Sequence, residues 1–403
     1  MHRFHSVVFF AVITFFISFA DAIMSYISPL FIESQVNNTM TMGFIFAFSS
    51  IIGIACDLIF PKIFSNRPHF FFLKATLLSA VLFPIVYLVF PQHLISLLLA
   101  MAVWGVYYEL NIFSSFHFIH TYVHLNEHAK VWGFLSALSS TAYAIAPIIA
   151  IKYLSQEFTH SFLAVCFSLT IAIILTLIFK HKFVKNISLN THLKPQRKTW
   201  VTEFKVWKLL FPKVWHLLLL QLLLLMIDAS YWTIGALFMV ELNEKHQLGS
   251  LFLTAHIAPT IIFGFVLGMK AKNTGKKKVA LFSSLATGLF LSSYFFIDSV
   301  PLLLIVTALA ATFLGIALPE LKAVFEDYVS RLKDDDNEMI GMQSSSGSLA
   351  FVIGPILATT LATIFDYKTA FSIIGMLLSL TAVTLLFIVP KKIRLPQKEL
   401  AKV

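Results

Sequence analysis

From Phe4 to Val389 the apolar residues come in runs about as long as a bilayer is thick, separated by short polar breaks. They do not follow the three-to-four-residue spacing of a helix with one buried face. A hydrocarbon core about 30 Å thick takes roughly 20 residues of helix, so each run predicts one membrane span. About twelve are expected, near residues 4–33, 40–60, 69–90, 94–124, 130–154 and 158–179, then 212–242, 248–269, 276–297, 300–330, 338–364 and 367–389. The predicted fold class is an all-α polytopic membrane protein. The first run is too long for the apolar core of a cleavable signal and no small-residue cleavage site follows it, so it is expected to stay as a span.

Composition agrees with the pattern: of 403 residues, 58% are hydrophobic and 12% charged. The net charge of +10 would suggest nucleic acid if it were spread over a surface, but its location argues otherwise. Lysines and arginines crowd the stretch from Lys180 to Lys213, the loop with Lys270, Lys272, Lys276, Lys277 and Lys278, and the tail from Lys391 to Lys402. If the spans alternate, all three lie on one side, and the opposite loops hold only Lys152, Lys245 and Lys368. The positive-inside rule then places both termini and the central linker in the cytoplasm, with no nucleic-acid partner. The Lys- and Phe-rich composition fits a bacterial plasma (inner) membrane. Cys56 and Cys166 both fall inside apolar runs, so no disulfide framework or CxxC motif is expected.

The polar, proline-containing break after Lys180 divides the spans six and six. Slid by 207 residues, "ISFADAIMSYISPLF" lands on "LLMIDASYWTIGALF", matching Asp21 to Asp228 and Ala22 to Ala229. A shift of 208 lays "WGFLSALSSTAYAIAPIIA" on "IGMQSSSGSLAFVIGPILA", matching Gly133 to Gly341 and Pro147 to Pro355. Single identities in an apolar alphabet are weak, but two segments in the same order at nearly one shift indicate an internal repeat. The expected organisation is an N-terminal six-helix bundle (1–179), a basic cytoplasmic linker (180–211), a C-terminal six-helix bundle (212–390) and a cytoplasmic tail (391–403).

On these features the chain resembles the major facilitator superfamily over nearly its whole length. After the second span, "GIACDLIFPK" resembles that family's Gly-x-x-x-Asp-Arg/Lys-x-Gly-Arg/Lys-Arg/Lys loop through Gly53, Asp57 and Lys62, and departs from it at Leu58, Phe60 and Pro61. The corresponding "GFVLGMKAK" keeps Gly264 and Lys270 but has Gly268 in place of the acid. The resemblance implies two pseudo-symmetric six-helix bundles working by alternating access, with Asp57 a gating residue. "AYAIAPIIA" and "AFVIGPILA" resemble the Gly-Pro signature common among the family's antiporters, with alanine for several glycines. Pro147 and Pro355 remove a backbone donor within a span and bend it, which suits a gate and equally suits a packed kink.

Ionisable groups inside a span are costly and usually face a wet cavity or a partner. Asp21, Glu109, Asp228, Glu320 and Lys322 fall within predicted spans one, four, seven and ten, the helices that in the family line the central path. Glu109 and Glu320 are also near-equivalent, at a shift of 211. A carboxyl group in a low-dielectric cavity holds its proton more tightly than in water, which is the requirement for proton coupling. These five residues are the expected proton-coupling and substrate-cavity set, Asp21 and Asp228 first. Structural pairing, with Lys322 or with hydroxyls such as Ser25 and Ser230, is the alternative.

The helix-four segment "FHFIHTYVHLNEH" places Glu109, His117, His120, His124 and His128 within an arc of roughly 100°. His117, His120 and His124 form a possible proton relay toward Glu109, or else are interfacial side chains with wet tips. A metal site would need further clustered ligands, and the other histidines are scattered, so no metal or other cofactor is expected. There is no GxxxxGK[ST] phosphate loop and no nucleophile motif, so the chain is read as a transporter rather than an enzyme. Tyr107, Tyr108, Tyr231 and Trp232 neighbour Glu109 or Asp228 and are the expected cavity aromatics, with Tyr143 a weaker one.

The sequence thus predicts a monomeric secondary transporter of a small solute, proton-coupled and embedded in lipid. Efflux of an amphiphilic or cationic compound is the leading expectation. Uptake of a sugar or nucleoside comes second, and a lipid flippase, a membrane metalloenzyme or a non-transporting sensor is more remote.

Overall fold

The computed structural model describes residues 2–64, 67, 69–90, 93–123, 128–154, 158–183, 200–259, 262, 275–332 and 336–390. Half of the basic linker (184–199), the tail and the loop with Gly264, Gly268 and Lys270 lie outside them. The described chain is helical, with no strand. Its helices are α1 (His2–Val36), α2 (Thr39–Ile63), α3 (His69–Val89), α4 (Leu94–Tyr122), α5 (His128–Leu154) and α6 (Phe158–Phe183). They continue with α7 (Trp200–Lys245), α8 (residues 252–259, entered through the 3-10 turn Gln247–Leu251), α9 (Lys276–Ser292), α10 (Val300–Leu332), α11 (Asp336–Ile364) and α12 (Tyr367–Ile388). Ten of the described helices are long and apolar enough to cross a membrane. The seventh helix starts at Trp200 rather than at 212, so residues 200–211 are helix continuous with the span.

The two halves pack alike. In the first, α1 lies against α5 and α6, and α3 against α4; in the second, α7 lies against α11 and α12, and α9 against α10. Lipid offers no hydrophobic drive between helices, so close packing and polar contacts hold such bundles. Ser18 donates to Ser139 at 2.9 Å between α1 and α5, and Ser346 donates to the Leu218 carbonyl at 2.9 Å between α11 and α7. Gly288 and Gly375 bring α9 and α12 nearly backbone to backbone: a Cβ built on Gly375 would lie 2.8 Å from the Gly288 carbonyl oxygen. Hydroxyls such as Thr14 and Thr76 satisfy themselves on the carbonyl four residues earlier, the usual solution for a polar side chain without water. Large apolar side chains, among them Phe116, Phe167, Phe282 and Phe387, point outward, as lipid requires.

Across the halves α2 packs on α11 and α1 on α7. At Gly43 the approach is so close that a Cβ would fall 1.9 Å from Thr359 Oγ1. Thr254 of α8 donates to the Ala144 carbonyl of α5 at 3.3 Å. These joints sit in the part of the bundle remote from the chain termini, because α2 and α8 begin there and α5 and α11 end there.

An acidic and aromatic cavity between the halves

A cavity of about 490 Å³ opens between the halves, a size that suits a drug-like or metabolite-sized solute. Its walls come from α1, α2, α4 and α5 on one side and α7, α8 and α11 on the other. Phe46, Trp104, Tyr108, Tyr143, Trp232 and Phe351 supply aromatic surface, and Ser25, Ser49, Ser50, Ser140 and Ser348 supply hydroxyls. Its ionisable lining residues are Glu109, Asp228 and His256, with Tyr108 and Tyr143; no lysine or arginine lines it among the described residues.

The repeat-related aspartates have different surroundings. Asp21 is buried, 7% exposed, behind the cavity wall. Trp104 Nε1 donates to its Oδ1 at 2.9 Å and the Tyr143 hydroxyl donates to its Oδ2. Trp104 is itself clamped, stacked on Phe83 at 5.0 Å and set edge-on to Phe46 at 5.2 Å. Asp228 instead faces the cavity, its side chain 32% exposed, and its Oδ1 lies 3.2 Å from His256 Nε2. Tyr143 reaches across to the second half, its ring 5.2 Å from that of Trp232 and inclined at 70°.

Behind Asp228 the second half is a rigid aromatic block. His256 lies flat on Tyr231, with centroids 3.6 Å apart and planes 13° apart. The Tyr231 hydroxyl is 2.8 Å from that of Tyr294, which is 2.5 Å from Thr307 Oγ1, and Thr307 donates to the Leu303 carbonyl at 2.7 Å. Since the Thr307 proton goes to a carbonyl, the chain runs one way: Tyr231 donates to Tyr294 and Tyr294 to Thr307.

Residues 217–402 match the sequence profile of the Major Facilitator Superfamily. That match spans 186 of the 403 residues of the chain. No curated protein sequence matches it, but solved transporters share its fold. A variant of the nucleoside transporter NupG superposes with a TM-score of 0.75 at 10% identity, covering 96% of this chain and 100% of that one. A POT family transporter in complex with 5-aminolevulinic acid gives 0.75 at 14% identity, covering 96% of each chain. A bacterial homologue of the human lysosomal transporter Spinster gives 0.66 at 12% identity, covering 96% and 95%. The chain therefore shares the fold of these transporters, and ten of its described helices are long and apolar enough to cross a membrane.

Several expected site residues lie elsewhere in the fold than the sequence suggested. Tyr107 turns away from the cavity into the small gap beside Asp21, and Tyr231 is buried within the second half. Glu320 and Lys322 do not line the cavity: α10 buries Leu314, Ala317, Leu321 and Val324 as one stripe, which leaves Glu320 half-buried and Lys322 exposed beside it. No residue of α10 is among the described lining residues, whereas α2, α5, α8 and α11 all contribute. Asp57 lies within hydrogen-bonding reach of Glu109, and Gly53 makes room for that glutamate, its Cβ position being 3.1 Å from Glu109 Oε1. His117 stacks on Phe72 at 4.5 Å, while the side chains of His120 and His124 lie outside the described residues. Pro147 and Pro355 are both buried within their helices.

Sequence reasoning missed Trp104 and His256. Nothing in the sequence ties either to an aspartate, since 83 residues separate Trp104 from Asp21 and 28 separate His256 from Asp228. The repeat holds a signal for the asymmetry. At the shifts of 211 and 208, Trp104 and Tyr143 fall on Gly315 and Phe351, neither of which has a side-chain donor. Asp228 thus lacks the counterparts of both groups that hold Asp21.

Proposed function

We propose that the protein is a proton-coupled secondary transporter that exports an amphiphilic organic cation. The observation that carries this reading is the charge of the cavity: two carboxyl groups, Asp228 and Glu109, stand among aromatic faces with no lysine or arginine lining it among the described residues. Aromatic rings beside a carboxylate attract a cation whose own surface is apolar. In this reading the halves 1–179 and 212–390 rock against each other as a monomer, joined by the cytoplasmic linker 180–211. Both termini lie in the cytoplasm of a bacterial plasma membrane, a placement supported by the one-sided lysines. Asp21 and Asp228 are the leading coupling residues. Glu109 and Asp57 form a second acidic pair toward the gate, and Pro147 and Pro355 shape the moving helices.

A second reading, proton-coupled uptake of a sugar or nucleoside, is supported by the five serine hydroxyls on the cavity wall. Proton flux in proteoliposomes under an imposed pH gradient separates the two. Lipophilic cations that drive proton movement, lost in Asp228→Asn, support export. Proton movement driven by nucleosides or sugars, and not by cations, supports uptake; no substrate-dependent proton movement at all would overturn proton coupling.

A further inference from the structure

We propose that His256 and Asp228 form the exchange site of this transporter, where an organic monocation and a proton compete for one negative charge and the proton is held on His256 Nδ1. This rests on the cation-transport reading above.

With Asp228 ionised, the 3.2 Å contact requires His256 Nε2 to donate, which leaves Nδ1 as a bare lone pair in the neutral ring. That nitrogen is buried and has no hydrogen-bond partner among the described residues. A buried acceptor without a donor carries a cost, but a buried N–H of a cationic ring without an acceptor costs more. The packing therefore belongs to the neutral imidazole, the state in which the carboxylate presents its charge to the cavity. Protonating Nδ1 turns the pair into an imidazolium and a carboxylate with no net charge, and a bound monocation loses its counter-charge. The new N–H also needs an acceptor that this arrangement lacks, so proton uptake favours a different placement of α8 relative to its neighbours.

The surroundings suit that role. Tyr231 presents its face to the imidazole at 3.6 Å, and the hydroxyl chain through Tyr294 to Thr307 keeps the ring in place. The other titratable groups facing the site are few. Asp228 and Tyr231 come from α7, and Tyr294 lies behind Tyr231. Tyr143 and Tyr108 come from the first half, and Glu109, with Asp57 beyond it, lies on the opposite wall. Asp21 is shielded by Trp104 and Tyr143. None of these is a cation, so the proton on His256 supplies the positive charge that displaces the substrate.

The test is tetraphenylphosphonium binding to purified full-length protein in nanodiscs across pH 5.5 to 8, with proton release read by an indicator dye. Wild type should bind more tightly as pH rises, approaching about tenfold per pH unit on the acid side, and release one proton per cation bound. His256→Gln, which keeps a donor for Asp228, should bind with an affinity independent of pH and release no proton. If His256→Gln retains the wild-type pH dependence while Asp21→Asn loses it, the exchange site proposed here is wrong and the transport reading stands. Wild-type binding without proton release also overturns the proposal, whatever the variants do. No cation binding at any pH, with uridine bound instead, overturns the cation reading itself.

Discussion

Trp104 donates to Asp21 at 2.9 Å while lying flat on Phe83, so a single side chain both buries the carboxylate and satisfies part of it. Trp104→Phe keeps the stacking and removes the donor. A buried acceptor deprived of its partner costs about 1–3 kcal/mol, and thermal unfolding in nanodiscs should show a loss of that order. The loss should shrink in the double variant with Asp21→Asn, whose neutral amide needs the indole less. Equal effects in both backgrounds would mean that the hydrogen bond contributes nothing.

Gly43 and Thr359 set how closely the halves approach at the end remote from the termini. Gly43→Val forces α2 off α11, at a cost of about 1–3 kcal/mol to the closed joint. A cysteine placed near residue 40 should become more reactive to a membrane-impermeant maleimide, and Thr359→Gly in the same chain should reverse much of the change. Unchanged labelling would place the mobile joint elsewhere.

Trp232 lines the cavity four residues from Asp228, with its ring edge-on to Tyr143. If the substrate is an organic cation, Trp232→Ala should weaken its binding by about 0.5–2 kcal/mol, roughly two- to thirtyfold, and Trp232→Phe by less. An equal effect on a neutral ligand of the same shape would assign the ring to packing.

The repeat makes Glu109 and Glu320 partners, but the first lines the cavity and the second does not. Glu109→Gln should therefore lower affinity for a cationic ligand, while Glu320→Gln should leave it unchanged. Titration calorimetry on both variants decides the point, and equal losses would return Glu320 to the substrate path.

Between α9 and α10, Asp298 accepts from Lys368 at 2.8 Å and is fully exposed. The Lys368 hydrogen bond and charge hold its carboxyl below the ordinary value of 3.8. A depressed carboxylate stabilises the fold above its unfolded value and loses that contribution as pH falls through the folded one. Asp298→Asn should differ only slightly from the parent at pH 7, since water and salt screen an exposed pair. The difference should vanish at pH values below the carboxylate range. A thermal-shift series over pH checks both the sign and the smallness.

The run lengths settled the spans because lipid forces every backbone group into helix, whatever the fold. The lone aspartates and their kinship across the halves were equally plain in one dimension, since a charge in an apolar run stands out. What the two carboxylates face was settled only in three dimensions. Asp21 draws Trp104 from α4 and Tyr143 from α5, and Asp228 meets His256 from α8, all through packing angles that no spacing records. The same holds for Glu320, whose place on α10 is set by the stripe that helix buries rather than by the likeness to Glu109. A repeat preserves helix order and backbone course. The character of each site follows from side chains on neighbouring helices, and there the two halves have diverged, with Gly315 and Phe351 standing where Trp104 and Tyr143 would be.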